Sequence, residues 1–270
     1  MRRWSNAVWL LTASLPAFAS GPVEFGLSEL DAAIAARNFR VKPRIVTEIN
    51  LEAPETFRIE PFQSGGGRIA GGDLRGLMYG LIEAAEQIRA TGRLKQTHGA
   101  PSLAPRGVKI VADPTARWFG SEDYWRGLME SLARARFDRL HLLFERLPGK
   151  DLLPVLRMIS QLAVQYSVDL TLGMKSAPED FGPVMQEILA ECAAIRSVSL
   201  DSSTDELKAP VLAVLRKAGR RVVLDDNRLW QLDPDQTSAR AVMDTLTAGF
   251  EVALPPGGLI GAWGRLGYKP

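Results

Sequence analysis

The chain is poor in the residues that would give the quickest answers. Its 270 residues include one cysteine, Cys192, so no intrachain disulfide, CxxC redox pair or cysteine-rich zinc site can form. Two histidines, His98 and His141, exclude a histidine-rich metal site and leave a serine–histidine triad only two possible bases. Charge of one sign is missing too: 33 basic residues against 31 acidic ones give +2, which makes no electrostatic case for nucleic acid. Beyond the amino terminus no apolar run approaches the ~20 residues of a membrane span. Gly65–Gly67 is not followed by the Gly-Lys-Ser/Thr of a phosphate loop, and no G-x-S-x-G elbow occurs. What remains, 46% hydrophobic and 24% charged, is an ordinary folded mixture, long enough for one large α/β domain or two smaller ones.

The first residues read as an address. Arg2 and Arg3 precede an apolar run from Ala7 to Leu15, Pro16 breaks it, and Ala17-Phe18-Ala19 supplies small residues at −3 and −1. This pattern predicts a signal peptide over 1–19, cleaved near Ala19, and an exported protein with no membrane span in its mature form.

Next comes an expected accessory layer over residues 20–95. A helix from Ser28 carries Leu30, Ala33, Ile34 and Phe39 on one side. Arg44–Ile49, Thr56–Pro61 and Gly67–Gly71 alternate apolar and polar residues as half-buried strands do. Asp73 caps a helix with Leu74, Leu77, Met78, Leu81, Ile82, Ala85 and Ile88 on one face, and Gly92 ends it. Residues 96–105, with two prolines and a glycine, read as a linker.

From 106 to 270 a rhythm sets in. Strand-like runs at Gly107–Val111, Arg139–Phe144, Val168–Leu172, Val198–Asp201, Arg221–Asp225 and Glu251–Leu254 alternate with helical patterns. Their starts fall about 30 residues apart, the length of a βαβ unit. The expected fold class is therefore α/β: a small layer domain followed by a parallel (β/α) barrel. About six units fit where a closed barrel needs eight, so the barrel is expected to be incomplete. Its open edges would need cover from the loop-like Pro255–Pro270 tail or from a second subunit, a homo-oligomer.

Two passages carry a family likeness. RIAGGDLRGLMYGLIEAAEQIR (Arg68–Arg89) resembles the glycine-rich strand and helix that close the accessory domain of β-N-acetylhexosaminidases and α-glucuronidases. RGVKI (Arg106–Ile110) resembles the opening of their catalytic barrel, and LARARFDRLHL (Leu132–Leu142) their passage into the second strand, with Asp138 where asparagine is usual. The likeness covers roughly residues 25–175. It implies a glycoside-hydrolase-like protein that acts on or binds oligosaccharide at the carboxyl ends of the strands, without metal or organic cofactor. It also implies that Arg106 holds sugar hydroxyls; an arginine paired with a carboxylate in the barrel mouth is the alternative. The family's Asp-Glu pair at the fourth strand is replaced by Asp201-Ser202, and Asp205-Glu206 look like a helix's first turn.

Read on their own chemistry, the best-placed acids lie in Asp225-Asp226-Asn227-Arg228-Leu229-Trp230. Acids accept hydroxyl hydrogen bonds and an indole covers the apolar face of a sugar. Asp225 and Asp201 are the candidate catalytic carboxyls, since glycoside hydrolysis uses two. Arg106, Glu145, Asp226, Arg228 and Trp230 are candidate sugar contacts. The plain alternatives are a turn cap for Asp225-Asp226-Asn227 and a solvated ion pair for Glu145-Arg146. His141, mid-strand, reads as a hydrogen-bonded barrel residue rather than a base. The alternative is a degenerate relative that binds glycan or a protein partner without turnover, which the missing barrel units and the absent Asp-Glu pair both favour.

Overall fold

The computed structural model describes residues 21–50, 53–101, 105–176, 181–200, 208–218, 222–225, 260–263 and 268–269. Helix α1 (Pro22–Ala36) begins six residues before the sequence suggests, because Pro22 is pre-set for the first helical turn and needs no amide partner there. It buries Leu30, Ala33 and Ile34, while Phe39 falls beyond its end. Strands β1 (Arg44–Ile49), β2 (Phe57–Pro61) and β3 (Gly66–Gly71) follow as expected. The β1–β3 pair is parallel and the β2–β3 pair antiparallel.

Helix α2 (Leu74–Thr91) runs between the predicted caps: Asp73 accepts from the Gly76 amide at 2.6 Å, and Gly92 closes the helix in the left-handed region at φ 71°. Leu77, Met78, Leu81, Ile82, Ala85 and Ile88 are buried, but so are Tyr79 and Ala84 from the far side, and Leu74 is exposed. The helix is enclosed almost all round because it lies between the first sheet, α1 and the second half of the molecule. Each large side chain buried here contributes ~1.5–3 kcal/mol, against ~1 kcal/mol for the cap, so docking dominates over end chemistry.

The expected linker holds a strand. Thr97–Pro101 (β4) pairs antiparallel with β2, placing Gly99 opposite Phe57. A Cβ at Gly99 would sit 2.2 Å from that ring, so the absence of a side chain is what admits the phenyl group. No apolar alternation marked this segment; the open edge of β2 recruits it.

The second sheet is built on β5 (Gly107–Val111), β6 (Arg139–Arg146), β7 (Asp169–Ser176), β8 (Ile195–Leu200) and β9 (Val223–Asp225), all parallel and in chain order. Helices α3 (Glu122–Arg134), α4 (Leu153–Gln165), α5 (Phe181–Glu191) and α6 (Lys208–Lys217) alternate with the strands. Val108, Ile110, Leu140, Leu142, Phe144, Leu170, Leu172, Met174 and Val198 join the helices' Trp125, Leu128, Ile159 and Ile188 in one continuous core. Among the described residues the architecture is an incomplete (β/α) barrel behind an α/β layer.

The tail differs from the expectation of a loop. Ile260–Trp263 (β10) pairs antiparallel with β5 and covers its edge, and Tyr268–Lys269 (β11) extends the first sheet beside β4. The strand expected at Glu251–Leu254 lies outside the described residues. No helix among the described residues is long and apolar enough to cross a membrane.

Candidate functional site

Polar side chains gather at two places on the parallel strands. At the amino ends, Arg106 precedes β5 and is 2% exposed. Its backbone N–H donates to Asp138 Oδ1 at 2.8 Å, its Nε to the Arg136 carbonyl at 2.8 Å, and its guanidinium meets Asp138 Oδ2 at 3.3 Å and Glu55 of the first layer. Arg75 on α2 continues the cluster to Glu55 at 2.9 Å and Asp169 at 3.2 Å. Tyr79 Oη donates to the Phe137 carbonyl at 3.3 Å. Burial pushes the Asp138 carboxyl up to about 6, although Arg106 pulls the other way. The Arg106 guanidinium is discouraged by burial, yet Asp138 and Glu55 more than offset this and raise its pKa.

The second gathering lies on the strand face turned away from the helices. In register, Lys109, His141, Thr171 and Ser197 form one row, and Val111, Leu143, Gly173, Ser199 and Asp225 the next towards the exits. Thr171 and Ser197 hydroxyls lie 2.6 Å apart, and His141 Nε2 lies 2.8 Å from Ser199 Oγ. That second bond crosses over β7, and only a glycine permits it. A Cβ on Gly173 would stand 2.2 Å from His141 Nε2 and 2.9 Å from Ser199 Oγ. Burial first, then Lys109 and Arg139, lower the His141 pKa to about 3, so the imidazole is neutral and not a base poised near neutrality.

One step further out, Glu145 and Lys175 pair at 2.9 Å, with Glu145 80% exposed. The loop leaving β5 brings Asp113, Arg117 and the half-buried Trp118. Asp113 accepts from the Thr115 hydroxyl at 2.6 Å and its amide at 2.9 Å, which hold its carboxyl below the ordinary range. It is therefore an acceptor rather than a proton donor. The Trp118 ring packs 5.0 Å from Tyr124 and 5.6 Å from Trp125, whose indole N–H is held by the Phe119 carbonyl at 2.7 Å.

The sequence expectations divide accordingly. Glu145 stands at the strand exits, paired with Lys175 rather than Arg146. Asp225 closes β9 in register with Ser199. Arg106 does not join them: it lies at the opposite ends of the strands, and its partners are the layer's Glu55 and the second half's Asp138, not sugar hydroxyls or a mouth carboxylate. An arginine ahead of a parallel strand's first residue can only reach the amino-end side. Asp201, Asp226, Arg228 and Trp230 lie outside the described residues. Sequence reasoning missed Glu55, which carries no local signal, and Ser199 and Trp118, which period-two counting and the position of the first βα loop could have flagged. Among the described residues no three His, Cys, Asp or Glu side chains group as a metal site.

No protein-family model matches the chain, and no curated protein matches it in sequence. Solved structures do match in shape. A GH138 enzyme targeting pectin rhamnogalacturonan II aligns at TM-score 0.58 and 14% identity over 77% of this chain and 34% of its own. The fold is glycoside-hydrolase-like. A family 20 β-N-acetylglucosaminidase aligns at 0.52 and 15% identity over 79% of this chain and 62% of its own. The Flavobacterium johnsoniae chitobiase aligns at 0.50 and 10%, over 74% and 43%. The chain thus spans less than two thirds of each of these structures, and at such identities the likeness concerns fold alone.

Proposed function

We propose that this is an exported, glycoside-hydrolase-like protein that holds oligosaccharide at the carboxyl-end face of its parallel strands, after loss of a signal peptide over residues 1–19. The observation that carries the reading is the parallel register, which lines up Ser199 with Asp225 and leads outward to Glu145 and Lys175 on one sheet. Ligands of parallel α/β folds bind at strand carboxyl ends, where loops bring side chains together. In this reading Asp225 and Asp201 supply the two carboxyls of hydrolysis. Glu145, Asp226, Arg228 and Trp230 contact sugar, with Trp118 as a further ring platform. Arg106 serves the amino-end cluster instead. The glycoside hydrolases that share the fold support carbohydrate as the ligand class.

A second reading, glycan binding without turnover, is favoured by one observation. Glu145 lies in solvent beside Lys175, whereas a general acid needs a desolvated carboxyl. Chromogenic glycosides separate the two. Turnover by the full chain that falls at least about 100-fold in Asp225→Asn supports hydrolysis. Saturable glycan binding without turnover, weakened in Trp118→Ala, supports binding alone. Neither turnover nor binding would overturn both.

A further inference from the structure

A hollow of about 520 Å³ lies within the first layer, formed by the segment entering β1, the β2–β3 turn and the residues that close α2. Its size falls within the ~300–1,000 Å³ of small-ligand sites. Its lining includes Lys42, Arg44 and Arg93 and not one acidic residue. Lys42 is engaged by Asp31 at 3.0 Å. Arg44 and Arg93 have no carboxylate partner among the described residues, as Arg68, Arg75 and Arg89 of the same layer do and Arg37 and Arg40 do not. The aromatic residues Phe39 and Phe62 share the lining and are half-buried.

We infer that this hollow is a second binding site, for a carboxylate-bearing sugar chain. Two guanidinium side chains line one cavity that has no acidic residue in its lining, and the planar guanidinium fork suits a carboxylate better than a point charge does. The aromatic side chains suit a ligand that also has an apolar face, as a pyranose ring has. The hydroxyl of Ser64 and the amide of Gln63 at the turn supply neutral hydrogen bonds. The carboxylate requirement rests on charge alone; the sugar requirement rests on the reading of the strand exits given above.

Calorimetric titration of the full chain with trigalacturonate, its methyl ester and citrate tests the site. Trigalacturonate should bind, and its methyl ester roughly tenfold more weakly, because the charge-assisted bonds are lost. Arg44→Gln and Arg93→Gln should each weaken binding several-fold with an unchanged melting temperature, since both side chains are exposed. Asp225→Asn should leave this binding intact, so failure at the strand exits is read separately. Equal affinity for the methyl ester, or no effect of either arginine substitution, would overturn the site. Citrate binding as tightly as trigalacturonate would overturn the sugar assignment.

Discussion

At the amino ends of β5–β7, Arg75, Arg106, Glu55, Asp138 and Asp169 interlock as charges, whereas on the inner face of the same sheet His141, Thr171, Ser197 and Ser199 make neutral hydrogen bonds. The neutral group is deeply buried, the charged one only at Arg106 and Asp138, and the two solve different problems. The charged cluster joins residues of the first layer to residues of the second, and partial pairing there would be expensive. The neutral rows ask less: each hydrogen bond nets ~1 kcal/mol, and none strands a charge. Ion pairs thus tie the first layer to the second half, while the inner face, apart from Lys109, is held by neutral hydrogen bonds up to the row of Ser199 and Asp225.

The comparison breaks most visibly at Arg106. Arg106→Met removes one partner and leaves Glu55 and Asp138 buried, so urea unfolding at pH 7.5 should show a loss of about 3–5 kcal/mol. A loss under about 1 kcal/mol would mean that the cluster does not hold the layers. Gly173→Ala should cost less, roughly 1–3 kcal/mol, by driving His141 off Ser199. Gly127→Ala, where nothing lies within 4 Å of the added methyl, is the matched control.

Acid separates the two regions by sign. His141 titrates near 3 when folded but near 6.5 when unfolded, so the unfolded chain takes up the proton first and stability falls as pH drops from about 6.5 towards 3. His141→Gln should remove up to about 1.4 kcal/mol per pH unit from that slope. Asp138 behaves oppositely: its folded value of about 6 lies above the ordinary ~3.9, so its contribution is fullest below 4 and is lost as pH rises through 6. Asp138→Asn should then be no less stable than the parent at pH 7.5, keeping an oxygen for the Arg106 amide; clear destabilisation there would contradict the assignment. The smallest effect belongs to Glu145→Gln, within ~0.5 kcal/mol because the pair is exposed, with glycan affinity rather than stability as its readout.

Much of the fold was legible. The caps of α2, the helical patterns between the later strands and the strands β5 to β9 follow from local periodicity and turn residues, which act within a few positions of one another. β4, β10 and β11 escaped for the opposite reason: Thr97–Pro101, Ile260–Trp263 and Tyr268–Lys269 have little pattern of their own and become strands because a distant edge lacks a partner. Of the candidate site, strand periodicity indicated that Glu145 and Asp225 end their strands, but the partners of Arg106, Glu55 and Asp138, were not legible because its motif says nothing of which carboxylate awaits it.

The sequence by itself determined where the chain turns and which faces are apolar, since these depend on neighbours three or four residues away, and that the strands after Arg106 run parallel, since helical stretches separate them. Only the tertiary structure decided that Glu55 meets Arg106 across 51 positions, that Gly173 clears a path from His141 to Ser199, and that chain near the carboxyl terminus pairs with β5. Those outcomes depend on which groups share a low-dielectric space once the layers close, and burial, not chain distance, then sets the strength of each pairing.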